Sequence, residues 1–412
     1  MKFYSLWLTT QFSHKKCLFI GMSLLLLVFL VLTGCSGIGG NGGSATPTAR
    51  GSPSSRGGNG LTATATVSQT PVVRLGVQPC PEAVKDPAHW TAIIAPTSTS
   101  KVESVSCGNL RGTPSLQALV MVRNEGSGAI LDVYVYDHIA DPSPVQLFKL
   151  QSLTKGDAKI SVYNTVMTAE VDPNSSINKG RPDANMTQDL FREFKWSDGA
   201  GTLVPVAFPG IFPDLTRYQA EANQAQVNQG HQPWKLSATL TAQALAASQK
   251  LLKWSPTAPA TTVSGGGSHD INAVVSVKST HAGAGTITVT MSRLEQNSNG
   301  GLWEVTSVTS PGMSITTPQD RDRLTSPTTV QGKGNAFEGK IGKVVVLDHL
   351  YTDIGHSDAN GATGNGSTTF SSNVSYSASF KTGIQEGIVA LYSYSNADGS
   401  VAGAVMVKEM LS

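Results

Sequence analysis

The chain has 412 residues, enough for two or three domains that each bury a core. Only 14% of residues are charged, low for a soluble domain, and Thr, Ser, Gly and Asn take up the difference. Three of the 30 lysines and arginines lie in the first 34 residues, which leaves 27 against 28 acidic residues. A balance so near zero offers no basic excess to attract nucleic acid or anionic lipid.

The chain opens on a leader. Lys2, His14, Lys15 and Lys16 precede a mostly apolar run, Leu18 to Leu32, broken by Gly21 and Ser23. Basic residues stay with the anionic inner face of a membrane while the apolar run inserts, which is how a signal peptide works. The run closes on Leu32-Thr33-Gly34-Cys35, which resembles the lipobox of bacterial lipoproteins. The resemblance implies a signal peptide over residues 1–34 and a diacylglyceryl thioether on Cys35, with acyl chains of the palmitate kind. Each buried methylene contributes about 0.8 kcal/mol, so two or three chains hold firmly where one does not. The other reading is an uncleaved anchor, for which the run is short of the roughly 20 residues a spanning helix needs. Both readings put everything after Cys35 on the extracytoplasmic side of the cell membrane.

Of the 4 cysteines, Cys17 leaves with the leader and Cys35 takes the lipid. Cys80 and Cys107 remain in an oxidising compartment, where one disulfide is the simplest reading and two separate buried thiols the alternative. Residues 36–70 have no apolar period and are dominated by Gly, Ser, Thr and Pro. With the lipidated Cys35, residues 35–71 read as a disordered tether with a reach of roughly 30 Å.

Residues 72–200 carry short apolar runs: Ala118 to Val122, Leu131 to Tyr136, Val145 to Leu150 and Lys159 to Met167. Val, Ile and Tyr dominate them, with period-two patches, and Asn124-Glu125-Gly126 and Lys155-Gly156-Asp157 supply turns. The pattern predicts a β-meander with the cysteine pair near its start. Phe191 to Trp196 adds a strand before a turn at Asp198-Gly199.

Residues 201–310 predict a small α+β unit of two helices on a sheet. The first helix takes Asp214 as N-cap and runs through Leu215, Tyr218 and Val227. The second spans Leu236 to Trp254 and stops at Ser255-Pro256. Its many alanines let it lie close against a sheet of Ala273 to Val277, Thr286 to Leu294 and Leu302 to Val308, with a hairpin turn at Gly300-Gly301.

Pro311-Gly312 marks the last boundary, and residues 311–412 again alternate like strands. Ile315-Thr316-Thr317-Pro318, Leu324-Thr325-Ser326-Pro327, Val330 to Glu338, Val344 to Asp348 and Tyr392-Ser393-Tyr394-Ser395 with Asp398-Gly399-Ser400 follow in order. This stretch resembles the Gmad2 domain, an immunoglobulin-like module of bacterial sporulation and spore-germination proteins. The resemblance implies an immunoglobulin-like β-sandwich. Gly332 and Gly334 allow a bend or bulge, and Phe337 is the sort of large residue that a two-sheet core packs around. Tyr351 to Gly366 departs from the pattern and reads as a long loop. The fold class expected is mainly β, with a small α+β middle unit and a C-terminal immunoglobulin-like β-sandwich.

The densest chemistry is Asp348-His349 with Asp353, His356 and Asp358. No regular element fixes their spacing, so a solvated loop is expected rather than a metal site. Asp137-His138 and His269-Asp270 read as surface pairs beside turns. No Gly-x-Ser-x-Gly elbow, Ser-x-x-Lys, His-Glu-x-x-His or phosphate-cradling loop occurs. No catalytic residue and no cofactor is therefore expected. Trp196, Trp234, Trp254 and Trp303 read as core. Phe208-Pro209-Gly210-Ile211-Phe212-Pro213 reads as an exposed loop whose prolines prevent regular pairing, with Phe208 and Phe212 as candidate ligand contacts.

The expectation is a non-enzymatic lipoprotein of the cell envelope, attached to the membrane through its N-terminal lipid. It binds an envelope protein or a wall polymer, and no nucleic acid. The Gmad2 resemblance implies a link to sporulation or germination. The alternatives are an envelope hydrolase acting on wall polymer or peptide, and a structural spacer of a wall or spore layer.

Overall fold

The computed structural model describes residues 72–412, apart from 95, 127, 284, 296–299 and 379–382. The leader, Cys35 and the tether lie outside the described residues, as do 296–299, which lead into Gly300-Gly301. Among the described residues, no helix is long and apolar enough to cross a membrane.

The first sheet has five antiparallel strands in chain order: β1 (Val77–Gln78), β2 (Ser100–Gly108), β3 (Gln117–Asn124), β4 (Leu131–Asp137) and β5 (Val145–Leu153). Two short helices, α1 (Glu82–Lys85) and α2 (Pro87–Ile94), join β1 to β2. Alternation in β4 assigns its faces. Leu131, Val133 and Val135 face a core shared with Phe148 and Phe194. Tyr134 and Tyr136 face the other way, where Trp90 of α2 closes a second core. Cys80 and Cys107 form a disulfide with Cα atoms 5.3 Å apart, tying the chain after β1 to β2.

The second sheet runs β6 (Asp157–Ile160), β7 (Val166–Glu170), β8 (Leu190–Ser197) and β9 (Thr202–Val206). The run Lys159 to Met167, expected as one strand, is two. The chain reverses at Asn164, which has φ 61°, and the Ser161 N–H donates to the Thr165 carbonyl at 2.9 Å. β9 carries this sheet to Val206, beyond residue 200.

The middle helices are α3 (Arg217–Asn228) and α4 (Ala238–Ala247), both shorter than expected. Thr216, not Asp214, caps α3, accepting from the Gln219 N–H, and Ser237 caps α4 in the same way from Leu240. Asp214 is instead buried, with Asn223 donating to its carboxylate at 2.5 Å. The alanine face of α4 (Ala238, Ala242 and Ala246) packs on the sheet, as its composition predicts.

That sheet has nine strands. β10 (Ala260–Gly265), β11 (Asn272–Lys278), β12 (Thr286–Ser292) and β13 (Glu304–Thr309) continue directly into C-terminal strands. These comprise β14 (Ser314–Thr317), β15 (Arg323–Leu324), β16 (Thr328–Ala336), β17 (Lys340–Leu347), β18 (Asp353–Asn360), β19 (Gly366–Val374), β20 (Gln385–Tyr394) and β21 (Val401–Leu411). The order is β10-β11-β12-β13-β21-β20-β17-β18, with β15 parallel to β21, and β14-β16-β19 form a separate three-stranded sheet. β13 meets β21 at Val308 and Met406, so the sheet crosses Pro311 without a break.

The run Val344 to Leu347 is apolar at every position because both its faces are covered. Val345 and Leu347 join the core under α4, while Val344 and Val346 join the core between the two sheets of the sandwich. The stretch 351–366, expected as a loop, contains β18, paired to β17 along its length.

The connection 208–217 is buried rather than exposed, which corrects the expectation for its two phenylalanines. Phe208 is 0% exposed, and Phe212 is half-buried against the core under α4. The prolines do not prevent pairing: at the Phe212–Val305 bridge the Val305 N–H donates to the Phe212 carbonyl and the Ile211 N–H to the Val305 carbonyl, each at 2.7 Å. Its other backbone groups, cut off from water, must find partners inside. The Phe208 N–H donates to Glu386 at 2.8 Å. Lys408, fully buried, pairs with Glu386 at 2.8 Å and donates to the Gly210 carbonyl at 2.9 Å and to that of Leu215. Arg217 pairs with Glu193 and Glu295, each at 2.8 Å. Charges from β8, α3, β20 and β21 thus clasp one connection.

Candidate functional site

A recess lies at the end of the C-terminal sandwich, a groove of ≈1060 Å³. It opens where β13 leaves the nine-stranded sheet and the chain crosses through Pro311 to β14. Its floor is built from strand ends brought close by glycine. A Cβ at Gly342 would overlap the Tyr392 carbonyl, and one at Gly285 would overlap that of Ala402.

One wall is the β16–β17 hairpin. Phe337 and Lys340 exchange backbone hydrogen bonds at 2.9 and 3.0 Å across Glu338 and Gly339. Those two residues have φ 52° and 81°, as a two-residue type I′ turn requires. The Glu338 N–H donates to Asn365 Oδ1 at 2.9 Å, which steadies the turn against the β18–β19 connection.

Phe337 is 52% exposed, which corrects its expected place in the core. Period two explains this. Thr328, Val330, Gly332, Gly334 and Ala336 face inward along β16, so Phe337 faces outward with Asn335 and Lys333. Gly332 and Gly334 make no bulge against β19, whose register is unbroken. Gly332 leaves room for the Ser314 carbonyl of β14 and for the Phe370 ring on the adjacent strand β19, and Gly334 for Ile341 of β17 across the sandwich.

The opposite side carries Tyr394, 40% exposed, at the end of β20. Partial burial pushes its hydroxyl pKa up, and Asp353 and Asp358 add to this. Lys340 and Lys343 also line the groove, with Asn335, Ser393 and Asn396. Among the described residues neither lysine has an ion-pair partner. Among the described residues of the lining, Glu338 is the one carboxylate and none is a histidine.

The residues singled out by sequence fall elsewhere. Phe208 and Phe212 belong to the buried connection, and Cys35 lies outside the described residues. Asp348 and His349 are buried, with His349 Nε2 3.6 Å from Asp189 Oδ2. Asp353 and His356 pair at 2.9 Å on the exposed face of β18. Among the described residues, no three His, Cys, Asp or Glu side chains gather as metal ligands. Asp137, expected at the surface, is buried beside Arg111 at 2.5 Å. Burial would raise its carboxyl, but hydrogen bonds from Gln117 and Arg111 hold it below the usual range.

No curated protein matches the chain. Residues 313–400, which supply most of the groove, match the Gmad2 family, the immunoglobulin-like domain of bacterial spore germination.

Proposed function

We propose that this chain is a non-enzymatic binding protein of the bacterial cell envelope, linked to spore germination through its Gmad2 domain. It is held on the extracytoplasmic face of the membrane by lipid on Cys35, and the tether lets the folded part reach into the wall. The observation that carries this reading is the groove on the Gmad2 domain. Two half-exposed aromatics and two lysines, which have no ion-pair partner among the described residues, stand around a glycine floor. Exposed aromatics in a concave site favour binding. A lining with one carboxylate lacks the paired acids of glycoside hydrolysis.

The test uses the 68–412 fragment, a compact unit, immobilised and exposed to isolated wall and to detergent-solubilised envelope. Retention of envelope material with no release of soluble fragments over time is expected. Catalytic breakdown of the polymer, or no retention, contradicts the reading. Mass spectrometry of the native N-terminus tests the anchor, and an unmodified Cys35 thiol removes it.

A further inference from the structure

We infer that the groove takes an anionic sugar chain, with Phe337 and Tyr394 holding its rings and Lys340 and Lys343 selecting its negative charge. The inference rests on the envelope-binding reading and names the ligand class of the same groove.

The first argument is the aromatics. A large apolar side chain left half-exposed beside a turn gains little from the fold. Phe337 is 52% exposed and Tyr394 40%, and both border one groove. Flat apolar faces at the rim of a polar recess suit the C–H faces of sugar rings. The second argument is the polar lining. Asn335, Asn396 and Ser393 offer both donors and acceptors, which is what ring hydroxyls and acetamido groups need. The third is charge. On the lining Lys340 and Lys343 outnumber one carboxylate, Glu338; Asp358, opposite Lys343 on the neighbouring strand β18, lies off the lining and, among the described residues, ion-pairs with neither lysine. The fourth is size. At ≈1060 Å³ and open to solvent, the groove exceeds a one-ring pocket and accommodates several linked rings.

An acidic peptide would carry the same charge, but extended peptides gain affinity by adding to a free sheet edge. β17 lies between β18 and β20, and β20 between β17 and β21, so these floor strands have no free edge. The sugar chain is therefore the occupant argued for.

The experiment titrates the 68–412 fragment with four probes. Two are anionic glycans: an alternating N-acetylglucosamine–N-acetylmuramic acid tetrasaccharide, charged on its lactyl groups, and tetragalacturonate, charged on its rings. The others are neutral chitotetraose and an oligoglutamate peptide. At least one anionic glycan should bind about tenfold tighter than chitotetraose, with an affinity that falls as salt rises. The one that binds identifies the source of the charge. The double variant K340Q/K343Q should lose that preference and bind the anionic glycan no tighter than chitotetraose. F337A and Y394A should weaken every glycan about tenfold. All four side chains are at least partly exposed, so the variants should melt with the parent. Equal affinity for neutral and anionic glycans, a preference for oligoglutamate, or unchanged binding by F337A overturns the inference. If the variants still retain envelope material as the parent does, the groove is the wrong site and the envelope-binding reading stands. If the parent retains none, that reading itself fails.

Discussion

Glu409 lies on β21 with its side chain out of solvent, and among the described residues neither carboxylate oxygen has a donor in strict hydrogen-bond geometry, although the Asp322 N–H lies close enough to favour the charged form slightly. Burial, with the carboxylates of Asp322 and Asp320 adding to it, pushes its pKa up to about 9. A free glutamate titrates near about 4.3. The folded value is the higher one, so the stability that protonated Glu409 contributes is complete below the unfolded pKa. It is lost as the pH climbs through the interval to about 9. Glu409→Gln, which keeps the shape without the charge, should have a denaturation midpoint that falls less between about pH 5 and pH 9 than the parent's. A variant no more stable than the parent at the alkaline end contradicts this. Phe208 makes a second residue-scale case. It is 0% exposed at the centre of the clasped connection, so Phe208→Ala should cost about 3–5 kcal/mol in urea unfolding. A cost below about 1 kcal/mol would mean an exposed loop. Phe208 and Phe337 exchange the places that their local sequences suggest. Prolines around Phe208 look like a surface loop, but a buried backbone needs only partners, and Glu386 and Lys408 supply them from more than 170 residues away. Phe337 looks like core by size alone, yet the alternation from Val330 to Ala336 already turns it outward.

At the scale of elements, the connection 208–217 and the ion pair beneath it form one device. Removing one member of a buried pair leaves the other charged and unpartnered, which costs about 3–5 kcal/mol. Lys408→Ala should therefore unfold the protein at much lower denaturant. The double variant K408M/E386L should recover only part of that loss: no charge is left stranded, but the Phe208 N–H and the Gly210 and Leu215 carbonyls lose their partners. A double variant as stable as the parent would show that the pair's hydrogen bonds are not what holds the connection. The disulfide acts at the other end of the chain. It closes a loop of 27 residues, for which the chain-entropy model gives about 3–4 kcal/mol. Replacing Cys80 and Cys107 by alanine should lower stability by that order, and an unchanged midpoint rules it out. Strands with clean alternation, such as β4, β11 and β12, were legible in the sequence because one period decides both their existence and their faces. The helices were legible in kind but not in extent. Asp214 and Thr216 are both good caps, and only the buried contacts of Asp214 decide between them. α1 and α2 are too short to show a period. The stretch 353–360 has Asp, His, Gly and Asn at strand positions, and it becomes β18 because β17 offers it an edge.

At the scale of the molecule, no part between residue 72 and the C-terminus stands alone. The middle strands and the C-terminal strands share a sheet, both its faces are buried in separate cores, and the core under α4 runs on to residues of β17, β20 and β21. The groove is a product of that union. Its lining draws on Gly285 and Thr286 from the middle strands as well as on the residues that match Gmad2. A site assembled from four separate stretches has no spacing to detect in sequence, and by sequence Phe337 reads as core rather than as part of a groove. The account turns on this groove as the place where the protein meets the envelope. The measurement that tests it most directly is retention of isolated wall by the 68–412 fragment beside a version carrying F337A, Y394A, K340Q and K343Q together. Loss of retention in the quadruple variant, with its melting temperature unchanged, is the predicted result. Equal retention by the two proteins would contradict it.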